Sequence, residues 1–397
     1  MLEAEVIGMR FTRVLNALTA LLTGMMLLGC IIPMGCVRTS PDGQYVTIVR
    51  QPPDAPADSA DLELALYHLD RRETSPIFRF SLDKDSPNSG LLYECAWAPD
   101  SRAVLITWIP DWLADVGRPS SENSERGSTD TSHDSERKPQ VMLYEVASGR
   151  LTRLPLEAYL SRWSADGKYL MGLSDDEDQP SIHIYRTDTW IRTQQVSLPE
   201  GWKIVSFDWA RWINSEPATA VVHFEATDSA GASGRNLHLL REAQLIPLTT
   251  TGDVQAFWVD KSGVVMRWAR VQPGKFLAVF ERPLQGGAPR RIALIPYATL
   301  PKDACIDETF YRFSPDGQRL AWQTDYGVSV LEITTGVIRT LHAHQPHKAT
   351  DETRTDGEGW SFKLKQPAII GFDWRDAETL VIQRNTGQLE LHSVRAL

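Results

Sequence analysis

Three histidines, His342, His344 and His347, stand close together in "LHAHQPHKAT". Imidazoles at short spacing can converge on a metal ion. Here His342 and His344 have strand spacing, His347 falls in a polar loop, and no carboxylate or cysteine stands at a ligand interval. A solvated loop is the expectation. Asp175, Asp176, Glu177 and Asp178 in "LSDDEDQPS" offer carboxylate oxygens. They lack the alternating Asp-x-Asp-x-Asp-Gly spacing and distant Glu of a calcium loop, so they read as a hairpin tip in water. Neither a metal nor a cofactor is expected. There is no Gly-x-Ser-x-Gly for a serine nucleophile and no glycine-rich phosphate loop. The segment "TWIPDWLADVG" carries Trp108, Ile109, Trp112 and Leu113. Exposed, they form an aromatic patch for a partner. Folded back over a sheet edge, they are core, which suits the rarity of large exposed apolar patches.

The elements that must position these residues follow from a repeated turn. "FYRFSPDGQRLAW" places Ser314-Pro315-Asp316-Gly317 between two short apolar runs. Pro fixes φ for the second position of a type I turn, Asp suits the third, and Gly takes the left-handed conformation that follows. That is a three-residue hairpin connection. Ser40-Pro41-Asp42-Gly43, Ala98-Pro99-Asp100-Ser101 and Ser164-Ala165-Asp166-Gly167 repeat it, and three weaker copies follow Trp209, Trp258 and Trp374. The aromatic ahead of each turn is the repeat's anchor: Trp97, Trp163, Trp209, Trp258, Phe313 and Trp374, with Thr39 in the first copy. A second hairpin, in "LYEVASGRLTRL" and "VLEITTGVIRTL", follows the first. Four antiparallel strands per unit of about 40 to 50 residues is the signature of a propeller blade. The anchors read as core, each covering about 150–250 Å².

The fold expected is all-β, a single β-propeller of seven four-stranded antiparallel blades. Only two strands, "TLVIQRN" and "QLELHSV", follow Trp374, so the last blade is expected to have three strands. Six blades is the alternative if one weak copy is misread. "RPSSENSERGSTDTSHDSERK" (118–138) and "HQPHKATDETRTDGEG" (344–359) have the composition of unstructured insertions.

The Trp/Phe-Ser-Pro-Asp-Gly-x-x-Leu-Ala pattern resembles the WD40-like repeat of the TolB propeller and its relatives, including the propellers of some serine peptidases. The resemblance implies the fold and little about function, because one fold hosts many activities. TolB carries a separate domain ahead of its propeller. Here the first copy begins just after the N-terminal apolar segment, so the role of TolB is not carried over. Peptidases with this repeat carry a separate α/β-hydrolase domain, for which residues 37–397 leave no room.

That N-terminal segment reads as a signal. Arg10 and Arg13 precede an apolar run over Val14–Leu28, and a start at Met9 removes the awkward Glu3 and Glu5. Leu27-Leu28-Gly29-Cys30 resembles the bacterial lipobox, which implies lipid attachment at Cys30 and a domain division into residues 1–30 and 31–397. Met34-Gly35-Cys36 is a poorer match, and an uncleaved anchor over Val14–Ile32 is the other reading. Ile31 stands where the family sorting rule looks for Asp, which implies the periplasmic face of the outer membrane in a two-membrane host.

Of the four cysteines, Cys95 and Cys305 fall in distant blades, too far apart for a disulfide; buried free thiols are expected. The 397-residue chain has a net charge of −10 and 13 Trp. An acidic exported chain is a poor nucleic-acid binder. The function expected is that of a lipid-anchored, non-catalytic propeller binding an envelope protein or polymer. The alternative is an enzyme of glycan lyase or hydrolase type, with its site at the mouth of the channel.

Overall fold

The computed structural model describes residues 36–56, 59–83, 86–110, 139–174, 180–198, 203–227, 233–272, 276–296, 311–324, 327–341, 369–384 and 387–395. They form seven antiparallel sheets, each built from strands consecutive in the chain. Six sheets have four strands and the seventh has three. The expected count of seven, with a short last blade, is therefore correct.

The first strand of each blade is the innermost: Arg38–Thr39, Gly90–Trp97, Tyr159–Trp163, Lys203–Asn214, Val254–Val259, Tyr311–Phe313 and Ile369–Asp376. Inner strands of adjacent blades touch, as those of blade 1 do with blades 2 and 7. The second strands are buried along their middle, for example "YVTIVR" at Tyr45–Arg50, because both faces of a blade are covered by its neighbours. The last strand of a blade, such as Arg150–Arg153, is mostly exposed.

Seven apolar clusters fill the seven junctions between blades. Blades 1 and 2 share Leu64, Leu66, Phe80, Cys95, Val104 and Ile106. Blades 3 and 4 share Met171, Leu173, Ile184, Trp212 and Phe224. Blades 7 and 1 meet through Val381 against Val37, Val46 and Ile48. That last junction closes the ring without a shared strand among the described residues. Polar bonds reinforce it: Thr39 N donates to Asp373 Oδ2 at 2.9 Å, and Val49 N donates to Gln383 Oε1 at 3.3 Å. Gln383 Nε2 in turn donates to Val49 O.

The repeated turn is a small polar machine. Ser314 Oγ donates to Asp316 Oδ1 at 2.5 Å, Gln318 N donates to the same oxygen at 3.1 Å, and Arg319 N donates to Ser314 Oγ at 2.9 Å. The same three bonds recur around Ser40 and Asp42 and around Ser164 and Asp166. Gly43, Gly167 and Gly317 hold φ of 69°, 71° and 68°. In blade 2 the equivalent residue is Ser101, at φ 62°. Its hydroxyl accepts from Asp42 N at 3.1 Å, a contact with blade 1 that a glycine cannot make.

The anchors also differ in detail from the sequence reading. In the fourth blade the anchor is Trp212, and Trp209, predicted to hold that place, lies three residues earlier in the same strand. Trp212 pairs with Ala220 beside the hairpin turn, as Trp97 pairs with Val104. It also packs on Tyr169 of blade 3, as Trp97 packs on Tyr45 of blade 1. The two closely spaced Trp in "FDWARWIN" and a turn without Asp-Gly misplace the register.

Candidate site at the central channel

The predicted site residues fall in different surroundings. Cys30, Trp112, Leu113, the three histidines and the acidic run Asp175–Asp178 lie outside the described residues, as do the two insertions. Trp108 is 6% exposed and packs edge-on against Phe78 and Phe80, with ring centroids 5.0 and 5.5 Å away. It is core at the junction of blades 1 and 2, so it does not contribute to a surface patch. Ile109 is half-buried. Among the described residues no group of His, Cys, Asp and Glu is placed to hold a metal ion.

The inner strands bring together a set of charges that the sequence reading missed. In blades 1 to 4, 6 and 7 the residue directly before the anchor is Arg38, Ala96, Arg162, Arg211, Arg312 and Asp373. All six hold the same register: each pairs with the second residue inward on its neighbouring strand, as Arg38 with Thr47, Arg162 with Met171 and Arg211 with Val221. In blade 5 this level is held by Trp258, paired with Arg267, and Val259, opposite Met266, holds the anchor register that the sequence reading gave to Trp258. Four arginines therefore stand at one level of the ring, just inside the face that carries the Asp-Gly turns. We refer to this level as the collar.

The collar is fixed by its neighbours. Trp97 Nε1 donates to Arg38 O at 3.0 Å, Trp212 Nε1 to Arg162 O at 3.1 Å, and Trp374 Nε1 to Arg312 O at 3.1 Å. In each case the anchor of one blade ties down the backbone of the collar arginine in the blade before it. This is why those anchors are tryptophan: an apolar body fills the junction and one N–H reaches a partner.

Two carboxylates balance part of the charge. Glu94 of blade 2 is buried between Arg162 of blade 3 and Arg38 of blade 1. Arg162 Nη1 donates to Glu94 Oε2 at 2.6 Å, Arg162 Nη2 donates to Oε1, and Arg38 Nη2 reaches Oε1 at 3.4 Å. A forked guanidinium on a carboxylate is the strong form of this bond. Asp373 of blade 7 lies 3.9 Å from Arg312 Nη1 and accepts from Thr39 N. Burial raises the pKa of Asp373, against the pull of Arg38 and that backbone donor.

Arg211 differs from the other three. Among the described residues it has no ion-pair or hydrogen-bond partner, and burial pushes its guanidinium pKa down. It is nonetheless exposed to solvent. Both hold for a side chain walled by protein yet open to water in the channel. Arg312 is also incompletely matched, since its buried Nε has no hydrogen-bond partner. Among the described residues, four guanidinium groups against two carboxylates leave the collar cationic in a chain of net charge −10. Low-dielectric walls focus such a potential. The arrangement is suited to holding an anion.

Below the collar, Cys36 and Cys95 are both fully buried at the junction of blades 1 and 2. Their thiols touch, and burial pushes the Cys36 thiol pKa up. Cys95 thus faces a cysteine of the adjacent blade, a neighbour that sequence spacing did not suggest.

No family model matches the chain and no curated protein matches it. Solved structures do resemble it. TolB from Acinetobacter baumannii superposes with a TM-score of 0.46 at 14% identity, over 76% of this chain and 64% of the TolB chain. The chain thus spans under two thirds of the length of that TolB. A chain of the mitotic checkpoint complex gives a TM-score of 0.52 at 10% identity, over 91% of each chain. Oligogalacturonate lyase in complex with manganese gives 0.50 at 11% identity, over 89% of this chain and 86% of the lyase. Strand order, the seven junctions and the two likenesses with a TM-score of 0.50 or more agree that the chain is a seven-bladed β-propeller.

Proposed function

We propose that the chain is a lipid-tethered, non-catalytic propeller that binds a partner protein or polymer in the bacterial cell envelope. The observation that carries this reading is the distance from the lipobox to the ring. Cys30 precedes Cys36 by six residues, and Cys36 is already buried in the first junction. Six extended residues span at most about 21 Å, so lipid on Cys30 holds the ring close to the bilayer. Cys36, the poorer lipobox match, is buried inside the ring, which supports Cys30 as the acylated residue.

The direction of the first strand supports one orientation. It runs from the side of Cys36 into the turn at Ser40–Gly43. The tether therefore joins the face opposite the Asp-Gly turns, and the turn face with its collar is directed away from the membrane. In a host with two membranes this is the periplasmic side of the outer membrane. Much of the collar's charge is spent on cross-blade pairing, as in the clamp of Arg162 on Glu94, and this favours a binding ring over a reactive one.

The second reading is an enzyme at the channel mouth, of glycan lyase or hydrolase type. The collar favours it to the extent that arginines at one level of the ring suit an acidic glycan. Crosslinked affinity capture of the tagged chain from detergent-solubilised envelopes, beside a Cys30→Ala control, tests the first reading. A stoichiometric partner that depends on Cys30 is the expected result. The absence of a partner in both samples overturns it and moves attention to glycans at the channel mouth.

A further inference from the structure

We propose that the collar binds a dianion, a phosphate or a dicarboxylate, held by Arg211 and Arg312 at the turn-face mouth of the channel. This deepens the binding reading above and rests on it for biological context.

Three observations carry it. First, Arg211 has no ion-pair or hydrogen-bond partner among the described residues, although it sits at the same register as three paired arginines. A guanidinium has five N–H donors in a fixed fork, and those of Arg211, open to water in the channel, are free to take a ligand. Second, Arg312 Nε is buried without a hydrogen-bond partner, and its contact with Asp373 is 3.9 Å, too long for a hydrogen bond. Its fork is thus only partly used. Third, four guanidinium groups face two carboxylates, Glu94 and Asp373, so a ligand group of charge −2 brings the collar to neutrality. Arg38 and Arg162, engaged with Glu94, contribute potential and leave the direct contacts to Arg211 and Arg312.

The geometry also explains why the site is pre-formed. The carbonyls of Arg312 and Arg162 are held by Trp374 and Trp212, so the strands carrying the fork residues do not need ordering on binding. A preorganised site loses less conformational entropy when it is filled. Arginine, with a planar fork, matches carboxylate and phosphate oxygens pairwise.

The test is isothermal titration of the detergent-solubilised full chain at constant ionic strength. One arm uses inorganic phosphate and the other succinate, which separates the two sources of dianion. Saturable one-to-one binding of at least one probe is expected. Arg211→Ala is expected to weaken it at least about tenfold, with melting unchanged because no partner is orphaned. Arg211→Lys, which keeps charge and loses the fork, is expected to fall between. Arg312→Ala gives a second, independent loss. No saturable binding of either probe up to about 10 mM, or equal affinity in wild type and Arg211→Ala, overturns the proposal. The titration contains no envelope component, so its failure leaves the tethered reading standing, and failure of the affinity capture leaves the collar standing.

Discussion

Substituting Gly317 by alanine should cost clearly more than the same change at Gly167, although both occupy the same place in the repeat. Their backbones are nearly identical, at φ 68° and 71°, so each substitution carries the left-handed penalty of about 1–2 kcal/mol. They differ in what an added Cβ meets. At Gly167 the nearest atom is Pro99 Cδ at 3.9 Å, an ordinary contact. At Gly317 it is Trp258 Cδ2 at 2.5 Å, with two more ring atoms within 2.7 Å. The Trp258 ring cannot easily step aside. Its Nε1 donates to Pro315 O at 3.1 Å, and Arg267, itself bonded to Gly317 O at 2.6 Å, lies over the ring at 5.6 Å. Overpacking of this kind adds about 1–3 kcal/mol. Gly167→Ala should therefore cost about 1–2 kcal/mol and Gly317→Ala about 2–5 kcal/mol. Urea unfolding followed by tryptophan fluorescence reads the difference. With a slope near 3 kcal/mol/M, the two midpoints should be about 0.3–1 M apart. Coincident midpoints would refute the reasoning, because they would mean that the turn of blade 6 is not packed against Trp258 of blade 5.

Four further outcomes are expected. Ser101→Ala keeps the left-handed strain and loses the bond from Asp42 N, so it should destabilise by about 1 kcal/mol, whereas Ser101→Gly should be near neutral; the reverse order in the same unfolding assay contradicts the turn account. Arg162→Met strands Glu94 in the junction and should cost about 3–5 kcal/mol, while the double variant with Glu94→Gln should cost less than Arg162→Met alone, as measured by a double-mutant cycle. His238 is buried, and burial lowers its pKa from 6.5 to about 4. On acidification the unfolded chain takes this proton first, so stability should fall between pH 6.5 and 4 by about 3 kcal/mol; His238→Gln should flatten the slope in that window, and an unchanged slope refutes the assignment. Gln383→Leu removes both bonds to Val49 at the seam of the ring and should speed hydrogen exchange at Val49 more than at the matched positions of blade 3; equal exchange contradicts the view that this residue secures closure.

The architecture was readable because its physics is local. An Asp-Gly turn is specified by a few contiguous residues, and the bonds of Ser314, Asp316 and Gly317 are the ones those residues imply. The strand count of the last blade followed in the same way from the residues after Trp374. The misplaced anchor in blade 4 shows the limit of that logic: "FDWARWIN" holds two tryptophans, and only cross-strand pairing selects Trp212. Trp108 became core for a reason that lies elsewhere in the chain, in Phe78 and Phe80 of blade 1. The collar was present in the sequence as an arginine directly ahead of the anchor, in "VRTS", "SRWS", "ARWI" and "YRFS". It was not read because one arginine per repeat is an ordinary surface residue until the ring closes and places four of them around a channel. The contact of Cys36 with Cys95 was hidden likewise, since it depends on which strands become neighbours.

The central claim, a ring held at the membrane by lipid on Cys30, is tested most directly by the mass of the mature protein. The chain is expressed in a bacterium and recovered from the membrane fraction, and its N-terminal peptide is measured intact. The account requires a peptide that begins at Cys30 and carries acyl mass on that residue, and it requires Cys30→Ala to abolish both the cleavage and the membrane association. An unmodified N-terminus that begins elsewhere, or a Cys30→Ala chain that stays in the membrane fraction unchanged, would contradict it.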